Sequence, residues 1–332
     1  MTSEGSGFDE SVFPDLVAKG PKVLLHDHLD GGLRASTAKE IAKRIEYKPI
    51  NEIDDVNKFF DRSNCESLED YLEAFTHTIA LMQTFENIEQ IAYEAAADMS
   101  DNGINFYESR YAPFYSVNDV LSPVDVIDAI NSGFKQAEIE KGIISGLILC
   151  GMRHDHENVS AVADLAVEFK DKIIGFDIAG PEYNFLPSLY KDSFTKISEA
   201  GVNITIHAGE GDGVRSIQDA LDNGAKRIGH GVRIIEDVKE DNTLGKTADY
   251  ILKEQIPLEI CITSNIHTNM YIDVYEHPIA KLYDLGFNIS LNTDNRLMSS
   301  TNVLKELEMA KLTGINNPLE LIKYSASDSF LN

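Results

Sequence analysis

The sequence predicts an α/β fold: a (β/α)₈ barrel of the TIM type with extra helices inserted after the first strand. Three observations carry this reading. Eight short apolar stretches of strand length recur along the 332 residues. The seven that follow the insertion alternate with amphipathic helical stretches, as parallel βαβ units require. Histidines and carboxylates gather just past several of these strands, where a closed barrel of this kind keeps its active site. A doubly wound open sheet is the alternative architecture. No G-x-G-x-x-G follows the first strand and there is no P-loop, so a Rossmann-type nucleotide turn lacks support. Barrels commonly run this long as one unit, and a single domain over residues 1–332 is expected.

The first strand, Lys22–His26, is apolar through Val23, Leu24 and Leu25 and runs into His26-Asp27-His28-Leu29-Asp30-Gly31-Gly32. From Thr37 to Ser100 the spacing is helical, with Leu68, Tyr71, Leu72, Phe75, Ile79 and Met82 on one face of the tract Ser67–Thr84, followed by Ile88–Met99. That is longer than one crossover helix needs. A lid over a site and extra helices packed outside the barrel both fit residues 37–100. The later strands are expected at Ile104–Arg110, Ile144–Cys150, Lys172–Ile178, Val202–Ile206, Arg227–Gly229, Pro257–Ile262 and Phe287–Leu291. Helices are expected between them at Val124–Lys141, Val159–Phe169, Leu189–Ala200, Ile217–Asn223, Thr247–Gln255 and Ile279–Leu285.

Composition narrows the partners. The formal charge of −26 repels phosphate backbones and anionic lipid, which argues against nucleic-acid and membrane partners. The polar, acidic start of the chain has no signal-peptide pattern, and no apolar run reaches eighteen residues. Cys65, Cys150 and Cys261 are far apart and form no C-x-x-C, so they read as reduced thiols of a cytoplasmic protein. Oligomeric state is left open.

The chemistry lies at the strand ends. His26 and His28, two apart on an extended segment, point to one side. Val-Asn-Ile-Thr-Ile-His-Ala-Gly-Glu-Gly-Asp-Gly at 202–213 ends a strand in His207, with Glu210 three residues on. His230 follows the sixth strand and Asp294 the eighth. Histidines and one aspartate converging at a barrel mouth make a divalent-metal site of N/O type. Zn²⁺ is the first choice, and iron, cobalt or manganese fit the same ligands. Lys172 sits at the wrong, N-terminal end of its strand to bridge a second metal, so one metal is expected.

His-Asp-His-Leu-Asp-Gly at 26–31, Tyr-Glu-Ser-Arg-Tyr-Ala-Pro at 107–113, Met-Arg-His at 152–154, His-Ala-Gly-Glu at 207–210, Ile-Gly-His-Gly at 228–231 and Ser-Leu-Asn-Thr-Asp-Asn at 290–295 stand in family order. From about residue 20 to the C-terminus the chain resembles the adenosine deaminase family of metal-dependent amidohydrolases. The resemblance implies that His26, His28, His207 and Asp294 hold Zn²⁺ and that His230 orients and deprotonates the attacking water. It implies that Glu210 protonates purine N1, that Asp30 meets the ribose hydroxyl and that the Gly180 backbone N–H reaches purine N3. Asn295 stands where many members carry aspartate facing N7, and its amide can donate there without a protonated carboxyl. The expected substrate is thus a small purine nucleoside, adenosine and 2′-deoxyadenosine, hydrolysed to inosine and ammonia. An adenine or modified-adenosine deaminase, and a catalytically inactive purine-binding barrel, are the competing readings. The cysteine spacing excludes a cytidine-deaminase type of zinc site.

The remaining polar residues are expected to play lesser parts. Glu108 and Arg110 read as a structural pair, and His154 and His156 as supporting or surface residues. His77, His267 and His277 have no expected catalytic role. Phe59, Phe60, Leu68 and Leu72 are candidates for an apolar lid wall, and Ser264 and Asn265 for neighbours of the metal site.

Overall fold

The computed structural model describes residues 20–65, 68–325 and 327–331, with the side chains of 68 and 69 excepted. Strand β1 (Val23–Leu24) leads into six helices: α1 (Ala35–Arg44), α2 (Lys48–Asn51), α3 (Val56–Phe60), α4 (Leu68–Glu73), α5 (Phe75–Leu81) and α6 (Phe85–Asp101). Strand and helix then alternate through β2 (Phe106–Tyr111), α7 (Pro123–Lys141), β3 (Ile144–Met152), α8 (His156–Glu168), β4 (Gly175–Ala179) and α9 (Lys191–Glu199). The second half continues with β5 (Thr205–Ala208), α10 (Val214–Asp222), β6 (Arg227–His230), α11 (Lys246–Glu254) and β7 (Leu258–Ile260). It closes with α12 (Ile262–His267), α13 (Ile279–Asp284), β8 (Ile289–Leu291) and α14 (Val303–Leu312).

Local chemistry explains the helices. In α7, Ser122 and Asp125 form a reciprocal capping box, Pro123 occupies the first turn, and Gly142 ends the helix at φ 75°. Its buried face, Val126, Ile127, Ile130, Phe134 and Ala137, has helical spacing.

All strand pairs are parallel. They form two four-stranded sheets, β1-β2-β3-β4 and β5-β6-β7-β8. Isolated parallel bridges, Phe176↔Ile204 and Asp27↔Asp294, join the sheets at both seams, so the eight strands close as expected. Period-two alternation then sorts the side chains. Phe176, Ile178, Ile204, Ile206, Ile228, Leu258 and Ile260 belong to the apolar core cluster that the helices cover. Their neighbours Asp177, Thr205, His207, Arg227 and Glu259 lie on the opposite, barrel-facing side, and all are buried. The barrel interior is therefore ionic where the eight-stranded norm is branched aliphatic.

Two expectations need correcting. The tract Ser67–Thr84 is broken into α4 and α5 at Ala74, and its first residue lies outside the described positions. The strand expected to run to Ile262 stops at Ile260, and Ile262 opens α12. Helix α14 was not among the expected elements. Among the described residues, no helix is long and apolar enough to cross a membrane, and Cys65, Cys150 and Cys261 are buried free thiols.

Candidate active site

The strand ends place the histidines. The seam between β8 and β1 is held by His28 N–H donating to the Asp294 carbonyl (3.0 Å) and Asp294 N–H donating to that of His26 (3.1 Å). At the other sheet's end, Gly231 N–H donates to the Ala208 carbonyl at 3.0 Å. His230 and Asp294 are both left-handed, at φ 59° and 57°. Such conformations cost non-glycine residues about 1–3 kcal/mol and collect at functional sites. Gly229 makes room for the cluster: a Cβ there would stand 3.0 Å from His207 Cα and 3.3 Å from His26 Cε1.

Four donor atoms converge. His28 Nε2 and His207 Nε2 are 3.1 Å apart. Asp294 Oδ1 lies 3.3 Å from His26 Nε2 and 3.4 Å from His28 Nε2. Tetrahedral bonds of 2.0–2.1 Å would space their ligands by about 3.3 Å. His26 Nδ1 lies 2.9 Å from Glu259 Oε2, which places the ring proton there and leaves Nε2 as a lone pair facing a carboxylate oxygen. Both His26 Nε2 and Asp294 Oδ1 are buried without a hydrogen-bond partner. Two acceptors in contact repel unless a proton or a cation lies between them, and a metal ion at this point would engage the His28 and His207 nitrogens as well, so the residues present fit a metal ion. One ligand atom each from His26, His207, His230 and Asp294 also falls within 4.8 Å of the others, so His230 stands at the edge of the same cluster.

A buried ionic layer supports the rings. His207 Nδ1 lies 2.8 Å from Asp177 Oδ2, poorly aligned, and its backbone N–H donates to Asp177 Oδ1 at 3.1 Å. Arg110 spans the two supporting carboxylates, donating to Asp177 at 2.7 Å and to Glu259 at 2.8 Å. Glu259 also accepts from Arg227 (2.6 Å), which in turn donates to Glu108 at 2.7 Å. Burial alone would raise Asp177 and Glu259, but their neighbours hold both carboxyls below their usual range: the His207 ring and the Arg110 guanidinium for Asp177, the Arg110 and Arg227 guanidinia for Glu259. The expected Glu108–Arg110 pair is not formed, since each finds its partner on another strand.

Glu210 lies beside this cluster, with Oε2 3.5 Å from His230 Nε2. Burial, with the Asp294 and Glu182 charges, pushes its carboxyl well above the usual value. Glu182 also clamps the loop, accepting from Gly209 N–H at 2.7 Å and Glu210 N–H at 2.9 Å. Gly209 (φ 78°) is required there, because a Cβ would meet Ile217 Cδ1 at 2.5 Å.

These groups form one end of a cavity of about 380 Å³ that His28, Asp30, Gly180, His207, Glu210, His230, Asp294 and Asn295 all line. Asp30 Oδ1 and Asn295 Oδ1 are buried without partners. Burial, with the charges of Asp27 and Asp294, raises the Asp30 carboxyl to about 7. Leu72, Phe75 and Ile79 of α4 and α5 form an apolar wall. Phe59 does not reach that wall, packing against the His77 ring at 5.0 Å, and Phe60 is buried beside it. The Leu68 side chain lies outside the described positions.

The profile of the family described as Adenosine deaminase matches residues 21–317. The chain belongs to the adenosine deaminase family. Adenosine deaminase 1 of Streptomyces coelicolor is 41% identical over 309 residues, 89% of this chain and 78% of the relative. Among solved structures, adenine deaminase from Arthrobacter aurescens has the same fold, with TM-score 0.82, 21% identity and 92% of each chain covered. A zinc-bound amidohydrolase from Burkholderia ambifaria aligns at TM-score 0.81 and 23% identity, covering 96% of this chain and 88% of its own. The family is one of metal-dependent amidohydrolases, and the histidine–aspartate cluster accords with that.

Several residues of this site escape sequence reasoning. Asp177 and Glu259 each stand alone among apolar neighbours in a short strand, and that isolation was their available signal. Glu182 had none. Ser264, expected near the site, donates to Asp294 Oδ2 at 2.7 Å. Asn265 lies 3.1 Å from His230 Nδ1. His154 lines the cavity, whereas His156 is exposed at the start of α8.

Proposed function

We propose that this protein hydrolyses adenosine, and 2′-deoxyadenosine with it, to inosine and ammonia, using one Zn²⁺ per chain. The observation that carries the reading is a buried carboxyl of raised pKa, Glu210, beside convergent donors in a cavity sized for a small molecule. His26, His28, His207 and Asp294 would hold the metal, whose chemistry is to bring the pKa of a coordinated water from 15.7 to about 7. Glu210 enters protonated and gives its proton to purine N1 as water adds to C6, which eases the loss of ring aromaticity. Ammonia departs with the proton of the hydroxyl added at C6, leaving the C6 carbonyl of inosine, and the proton that the water sheds on attack returns Glu210 to its acid form. His230 orients the attacking water and opposes charge growing on its oxygen. Asp30 receives a ribose hydroxyl, the Gly180 N–H reaches N3, and the Asn295 amide addresses N7.

No lysine or arginine lines the cavity among the described residues, which favours a neutral nucleoside over a phosphorylated one. One apolar cluster runs from the inserted helices into the barrel helices, which supports a single domain with α4 and α5 as its lid. Three buried free cysteines support a reducing, cytoplasmic setting.

The test is the ultraviolet change when metal-analysed protein is given adenosine, deoxyadenosine and adenine in parallel. Turnover of adenosine that is lost on chelation and restored by Zn²⁺ is expected. Faster turnover of adenine, or turnover of none, would overturn the substrate reading. Glu210→Gln should keep its metal and lose about 10²–10⁴ in kcat. Near-wild-type kcat in that variant would remove Glu210 from the proton transfer.

A further inference from the structure

A chain of hydrogen bonds reaches His230 from the side away from the cavity. The Ile279 N–H donates to His277 Nδ1 at 3.3 Å, which makes that nitrogen an acceptor. The His277 ring is buried, and burial lowers its pKa to about 3, so it is neutral. A neutral imidazole has one N–H. In His277 it is therefore on Nε2, 3.3 Å from Asn265 Oδ1. This commits the amide oxygen as an acceptor. The amide NH₂ is left 3.1 Å from His230 Nδ1. Turning the amide over would set its NH₂ against the His277 Nε2–H, two donors in contact at a fully buried residue. His230 Nδ1 must then accept, and the proton of a neutral His230 lies on Nε2, the nitrogen 3.5 Å from Glu210 Oε2.

We infer that Asn265, oriented by His277, is a positioning residue that sets the tautomer of His230, so that His230 meets the attacking oxygen as an Nε2–H donor and not as the base that the family resemblance implies. The tautomer follows from the hydrogen-bond geometry alone; its use in catalysis rests on the proposed adenosine hydrolysis. A donor aimed at an oxygen that gains negative charge stabilises the transition state more than the ground state. The sequence singled out neither residue for this part, because Asn265 and His277 join only through the loop between α12 and α13.

Protein labelled with ¹⁵N in histidine reports the tautomer directly in long-range ¹H–¹⁵N spectra. The metal-free and Zn²⁺-loaded forms are both measured, with His230→Gln and His277→Gln used for assignment. His230 and His277 should both show Nε2–H. Asn265→Asp keeps the shape but presents only acceptors, so it should move the His230 proton to Nδ1. Its kcat on adenosine should fall about 10–100-fold, with KM within about twofold. His277→Phe, which frees the amide to turn, should give His230 a mixture of both tautomers. Wild-type spectra with the His230 proton on Nδ1 overturn the inference. So does an Asn265→Asp protein that keeps Nε2–H, or that reverses the tautomer at unchanged kcat. Failure of the wild type to turn over adenosine refutes the functional reading and leaves the spectra to decide the tautomer.

Discussion

Arg110 carries more of this site than its place in a short strand suggests. It separates the Asp177 and Glu259 carboxylates, each of which supports one clustered histidine, and neither the guanidinium nor either carboxylate meets solvent. Arg110→Met would leave two buried negative charges without their shared cation, a class of change that costs about 3–5 kcal/mol. Urea unfolding should show that loss, and competition with a chelator should show metal affinity down by about 10–100-fold. Unchanged affinity would reduce Arg110 to a packing role. The convergent residues were legible because each terminates an apolar strand, whereas Arg110's partners lie 67 and 149 positions away and only closure of the barrel brings them near. His277 makes a separate prediction. Its ring is neutral when folded, with a pKa of about 3 in place of 6.5. Between those values the unfolded chain binds a proton that the folded one does not, so its contribution is complete above pH 6.5 and is lost as pH falls toward 3. Replacing it by glutamine should make the stability lost between pH 6.5 and 5 smaller by about 2 kcal/mol. An identical pH dependence in wild type and variant would refute this.

At the scale of elements, the βα units were readable because each strand turns an apolar edge to the helices while its alternate residues face the barrel. Boundaries were less so. Cys261 and Ile262 continue an apolar run that fits a buried strand or a buried helix equally, and tertiary packing made it α12. The inserted tract looked like one helix because its apolar spacing persists through Ala74, where α4 gives way to α5. Leu72 and Phe75, on either side of that break, both face the cavity. If α4 and α5 act as a fixed wall, Phe75→Ala weakens ground state and transition state alike, raising KM for adenosine about tenfold with kcat nearly constant. If they close over substrate as a lid that completes the site, kcat falls with it. Steady-state kinetics on the one variant separates wall from lid.

The whole molecule depends on how its two sheets are joined. Each seam is closed by an isolated bridge, one at Phe176 and Ile204, the other at Asp27 and Asp294. The proposed metal ligands fall on both sides: His26 and His28 follow β1 of the first sheet, His207 lies in β5 of the second, and Asp294 follows β8. Within the connected layer the two cations Arg110 and Arg227 stand against four carboxylates, those of Glu108, Asp177, Glu259 and Asp294, which leaves a net of two negative charges. A divalent cation would neutralise them and tie the sheets together. Its removal should therefore act on the fold as well as on turnover. A ligand at about 1,000 times its Kd stabilises the folded state by about 4 kcal/mol. For a chain of this size that corresponds to a fall in Tm of about 6 °C after chelation. Amide exchange should quicken first around residues 26–28, 204–208 and 292–295, where the seams and donors meet. Calorimetry with and without chelator, followed by Zn²⁺ addition, measures the effect. One transition is expected in each state because the inserted helices share the barrel's core. An unchanged Tm in metal-free protein would separate the metal from seam closure, and two resolved transitions would argue that residues 37–100 fold as a unit of their own.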